Sequence, residues 1–154
     1  GKTMLTRRAA LGLFATAPLA YALTPHRALA REPEVFQNPT AINGYDPVAY
    51  SSEQKPVKGS AANLVDWNGA TWHFASAQNA AKFQANPETY APRFGGYCAY
   101  AASKGYLAPT IPEAWTIHEN VLYLNASLRA QELWRQDIPG NIEKGLANWP
   151  GILG

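Results

Sequence analysis

The chain has 154 residues, 47% hydrophobic and 16% charged, which fits one folded domain and excludes a disordered chain. Its formal charge is +2, but Lys2, Arg7, Arg8 and Arg27 stand in 1–30 with no acid, so residues 31–154 hold 9 of the 13 basic residues against all 11 acids, a balance of −2. That part of the chain lacks the clustered Lys and Arg footprint of a nucleic-acid binder.

Residues 1–30 read as an export signal. Thr6-Arg7-Arg8 opens the segment, a charge-free run follows over 9–23, and Arg27-Ala28-Leu29-Ala30 closes it with a small-x-small cleavage site. The run is shorter than the roughly 20 residues that cross a bilayer, and Gly12 and Pro18 weaken it as a spanning helix. The paired arginines resemble a twin-arginine signal. They point to a bacterial periplasm or exterior, cleavage near Ala30 and no membrane span afterwards. The competing reading is an uncleaved amphipathic anchor.

Residues 31–41 are polar and broken by proline, and read as a linker to a domain over 42–150. In 42–50, Asn43-Gly44 and Asp46-Pro47 mark turns around short extended pieces. A hairpin follows: strand 63–67, the turn Asn68-Gly69 and strand 70–75. Ser76 caps a helix that ends near Asn86-Pro87. A helical turn covers 87–91, and Gly95-Gly96 breaks the chain. A helix over 97–103 stops at Gly105. A second hairpin pairs 114–118 with 121–125 about Glu119-Asn120. A helix over 127–137 follows. Pro139-Gly140 separates it from a last helix, whose Ile142, Leu146 and Trp149 form one stripe. The fold class is α+β, with antiparallel hairpins packed against several short helices.

Cys98 is the only cysteine. An intramolecular disulfide is impossible, so the hydrophobic core must hold the fold. In an oxidising compartment a lone thiol lasts if it is buried, metal-bound or reactive by design.

Trp72-His73-Phe74-Ala75-Ser76, with Asn79, Phe83 and Asn86-Pro87-Glu88-Thr89-Tyr90, resembles the YHS domain family. Gly44-Tyr45-Asp46-Pro47-Val48 fits the opening of such domains, and Phe94-Gly95-Gly96-Tyr97-Cys98-Ala99 is similar to the exported stand-alone branch. The resemblance spans about 42–125. It implies a small α+β fold and a role with transition metals, often copper. YHS modules of metal pumps carry a thiol after Asp-Pro-Val and two more in Phe-Cys-Ser-x-x-Cys. Here those positions hold Ala49, Ala75 and Asn79, so any metal site must be built from other residues.

The donors that remain are Cys98, His73 and His118. Cys98 follows Gly95-Gly96 near a helix start, where the dipole and free N–H groups favour a thiolate, a nucleophile and soft-metal ligand. It reads equally as a small buried hydrophobe. Strand alternation sets His73 opposite Trp72 and Phe74, and His118 opposite Trp115 and Ile117. If the aromatic residues face the core, both imidazoles turn away from it and can meet over a shared sheet. Together with Cys98 they would form a copper or zinc site. Solvated or hydrogen-bonded histidines are the plainer alternative. Asp46 suits a turn that bonds its own backbone. The tyrosines around Gly95-Gly96 read as core and rim packing, or as a ligand-stacking wall.

No serine nucleophile elbow, phosphate loop or zinc-protease helix is present. Three functions follow. The first is an exported copper-binding protein using Cys98 with His73 or His118. The second is a non-enzymatic interaction or structural module with a partner protein and an inert Cys98. The third is a thiol-redox protein, which would lack a resolving cysteine.

Overall fold

Both hairpins form where the turn residues allow positive φ. Asn68 and Gly69 have φ of 53° and 79°, and Glu119 and Asn120 have φ of 50° and 67°, the backbone of the tight turns that match strand twist. In this computed structural model, which describes residues 30–154, the first hairpin joins β1 (Ser60–Trp67) to β2 (Ala70–Phe74). Its register pairs Trp67 with Ala70 and Val65 with Trp72, and shifts between Ser60 and Leu64. The second joins β3 (Trp115–His118) to β4 (Val121–Leu124), with Ile117 opposite Leu122. The export-signal reading of 1–30 lies outside the described residues except for Ala30.

Among the described residues six α-helices complete the α+β fold: α1 (Pro47–Ser52), α2 (Ala77–Ala85), α3 (Pro87–Tyr90), α4 (Ala99–Lys104), α5 (Leu128–Arg135) and α6 (Ile138–Asn148). Side chains start most of them. Ser76 accepts from Asn79 N–H, Ser127 from Ala130 N–H and Asp137 from Gly140 N–H, each satisfying a donor that the helix leaves free. Pro139 lies in the first turn of α6 rather than before it. There its missing N–H costs nothing.

Region 42–50 departs from the extended reading. Ile42–Gly44 is a 3-10 turn and Pro47 opens α1. Asp46 accepts from the N–H groups of Val48 and Ala49, which makes a helix start out of the expected turn.

Residues 31–41 are not a linker throughout. Val35, Phe36 and Ala41 are buried. Phe36 N–H donates to Gly95 O at 2.9 Å, and Ile42 N–H to Phe36 O at 2.9 Å. A Cβ on Gly95 would lie 1.8 Å from Glu34 O, and the residue sits at φ +64°. Glycine is therefore required where this segment docks. At the other end Leu153 is buried too, and the compact unit runs over Pro33–Leu153 rather than 42–150.

The two hairpins form separate two-stranded sheets. The sheet shared by His73 and His118 is absent, because helices and turns, not strands, flank each hairpin. A lone hairpin needs such packing to persist. Trp72 and Phe74 of β2 meet Phe83 of α2 with ring centroids 5.0 and 5.1 Å apart. Leu122 and Leu124 of β4 join that cluster. Tyr123, between them, points into a second cluster with Phe94 and Trp134. The second hairpin is thus covered on both faces. Thr116, not Trp115 or Ile117, is its most buried β3 residue. No helix among the described residues is long and apolar enough to cross a membrane.

Candidate functional site

Cys98 is the N-cap of α4 and is 2% exposed. Its Sγ accepts from Ala126 N–H at 3.2 Å and from Ala101 N–H at 3.4 Å, and donates to Asn125 Oδ1 at 3.4 Å. Asn125 is fully buried, and its Oδ1 also accepts from Tyr100 N–H at 2.9 Å. The thiol therefore ties the start of α4 to the chain leaving β4. The sequence located the helix start within two residues, but Asn125 and Ala126, which the thiol engages, lie 27 and 28 residues away.

The expected metal donors are not brought together. His73 projects from β2 on the side opposite Trp72 and Phe74, near Gly44. His118 ends β3 in the other sheet, with Nε2 3.8 Å from the Glu119 carboxylate. Cys98 is enclosed by backbone N–H groups and Asn125. Among the described residues no group of three or more His, Cys, Asp or Glu side chains could hold a metal ion. The residues present do not fit the copper or zinc site built from Cys98, His73 and His118. The alternation rule gave each imidazole a face but could not assign the two hairpins to different sheets.

Asp46 is the most enclosed carboxylate, with no exposed surface. Its Oδ1 accepts from Val48 N–H at 2.8 Å and Ala49 N–H at 3.2 Å. Its Oδ2 accepts from Ala75 N–H and from Asn79 Nδ2, both at 2.8 Å. One side chain thereby joins the start of α1, the end of β2 and the first turn of α2.

Residues 48–94 match the YHS domain family model. The match runs from α1 through both strands of the first hairpin to the turn after α3. Searches of curated proteins and of solved structures returned no match. YHS domains as a family are associated with metal handling, copper in particular. The three positions where metal-pump modules carry thiols, Ala49, Ala75 and Asn79, all donate to Asp46 here. Two do so through backbone N–H and the third through an amide. At the edge of the segment that matches the YHS model, one hydrogen-bonded carboxylate thus gathers these three positions. Cys98, His118 and the second hairpin lie beyond the matched segment.

Two clefts flank α3 where it meets the second hairpin. One, of about 410 Å³, is lined by uncharged residues including Tyr50, Tyr90, Ile117 and Leu122. Tyr50 donates its hydroxyl to Pro112 O at 2.9 Å. Burial first, then the charge of Glu113 and nearby Tyr45, push this phenol well above its ordinary range. The other cleft, also about 410 Å³, contains Arg93, Glu88, Glu119 and Trp67, and shares Thr89 and Asn120 with the first. Arg93 NH1 donates to Tyr123 Oη at 2.9 Å, and the guanidinium lies 5.7 Å from the centre of that ring. Burial raises the Tyr123 phenol, against the opposing effect of Arg93. Nothing in the sequence singled out Arg93, because Tyr123 fixes it from 30 residues away.

Proposed function

We propose that this chain is a non-enzymatic binding module on a YHS framework, in which Cys98 is a structural cap and not a copper ligand. The burial of Cys98, with Sγ engaged in three hydrogen bonds, carries this reading. A soft-metal site needs an accessible thiolate with further donors of suitable geometry. A redox thiol needs access to its reactant. Residues 6–30 support work outside the cytoplasm, where an exposed lone thiol would be a liability. Fusing residues 1–30 to an export reporter tests that location, and a reporter retained in the cytoplasm overturns it.

Two measurements on the purified chain test the function. A thiol reagent should leave the native protein unlabelled and label it fully after unfolding. Cu(I) titrated against a competing chelator should behave alike for wild type and Cys98→Ala. Rapid native labelling, or copper uptake that Cys98→Ala abolishes, overturns the reading in favour of copper binding.

A further inference from the structure

Arg93 is held in place but not neutralised. Tyr123 takes one N–H of its guanidinium and offers its ring face. Neither Glu88 nor Glu119 forms an ion pair with it among the described residues. Arg93 and both glutamates nevertheless line the same cleft. Opposite charges that share a cleft without closing on each other leave room for a ligand to bridge them. The rest of the Arg93 fork matches a carboxylate, and the glutamates match an ammonium. Trp67 adds an aromatic wall. The uncharged cleft adjoins at Thr89 and Asn120, giving an apolar side chain somewhere to go. Each cleft is within the roughly 300–1,000 Å³ range that holds small ligands.

We propose that the Arg93 cleft binds a small zwitterion of the free α-amino acid type, with its carboxylate on Arg93, its ammonium toward Glu88 and Glu119, and an apolar side chain toward Ile117 and Leu122. A plain anion would meet the two glutamates as like charges, and a plain cation would meet Arg93.

The test is an NMR titration of the nitrogen-labelled full chain with L-leucine, isocaproate (no ammonium) and isoamylamine (no carboxylate). Leucine should give saturable shifts at the amides of Trp67, Thr89, Arg93, Glu119 and Asn120. Each singly charged analogue should bind roughly tenfold or more weakly, having lost one charge-assisted contact. Arg93→Gln should abolish leucine binding. Because that change also loosens Tyr123, the exposed pair Glu88→Gln with Glu119→Gln supplies a second arm. It should weaken leucine and leave isocaproate unweakened.

Equal binding of leucine and isocaproate, leucine binding that survives both sets of substitutions, or no saturable response overturns the proposal. It rests on the binding-module reading, yet the two fail separately. Native labelling of Cys98 overturns that reading without altering the leucine titration. A missing leucine response overturns this proposal alone.

Discussion

Replacing Asp46 by alanine tests whether one carboxylate organises the YHS segment. The change strips the acceptor from Val48, Ala49 and Ala75 N–H and from the Asn79 amide, in a site with no exposed surface. Each hydrogen bond to a charged group is worth about 1.5–3 kcal/mol, and the four are not additive because they share one side chain. Losing the α1 cap alone costs about 1 kcal/mol. The two donors from β2 and α2 lose their only acceptor in the site and bring the total to about 3–5 kcal/mol, the range for breaking a buried charged network. Against a stability of about 5–15 kcal/mol for a domain, that is a large fraction. It should lower Tm by roughly 10–20 °C for a chain of this length.

Asp46→Asn sharpens the test. Its Oδ1 can still cap α1, and Asn79 can turn its carbonyl toward the new amide. Only Ala75 N–H is then left facing a donor, so the cost should fall to about 1–3 kcal/mol. Urea unfolding followed by tryptophan fluorescence reads both variants, since Trp72 and Trp67 pack in the cluster that Asp46 supports. If Asp46→Ala costs under about 1 kcal/mol, or no more than Asp46→Asn, the network argument is wrong.

Three further outcomes follow from the same geometry. Cys98→Ser keeps a capping acceptor and should change stability by less than about 1 kcal/mol, whereas Cys98→Val should cost about 1–3 kcal/mol by orphaning Ala101 and Ala126 N–H; equal losses in urea unfolding would deny Cys98 its capping role. Tyr50 titrates higher folded than unfolded, so its stabilising effect is intact below the unfolded value near pH 10 and is lost as pH rises beyond it. Above that pH wild type should lose up to about 1.4 kcal/mol per pH unit more than Tyr50→Phe, and parallel alkaline unfolding curves would contradict this. Gly95→Ala forces a Cβ to within 1.8 Å of Glu34 O at φ +64°, and should cost about 1–3 kcal/mol or more; limited proteolysis should then cut first within 33–41, and unchanged resistance would show that this segment does not depend on the Gly95 contact.

Much of the local structure was legible because its causes are local. Asn68-Gly69 sets a hairpin turn through two positive φ values, and Ser76, Ser127 and Gly105 mark helix ends through bonds to residues within a few positions. The YHS resemblance likewise rested on short runs. The same local logic misread 42–50, where Asp46-Pro47 initiates a helix, and 31–41, whose Val35 and Phe36 find their partners near Gly95. Composition showed a polar, proline-broken stretch but could not show that Val35, Phe36 and Ala41 are buried.

The candidate site was less legible, since each of its parts acquires a role from distant chain. Residue identities alone supply the inventory: one thiol, two imidazoles beyond residue 30, no thiols at Ala49, Ala75 and Asn79, and a slightly acidic balance over 31–154. It took the closed fold to put His73 and His118 in separate two-stranded sheets. Only it showed that Asp46 gathers Ala49, Ala75 and Asn79, and that Tyr123 fixes Arg93. The reason is physical. Strand period and capping act over a few residues, whereas pairing of strands and packing of buried groups are settled by contacts the chain makes only when the whole domain closes.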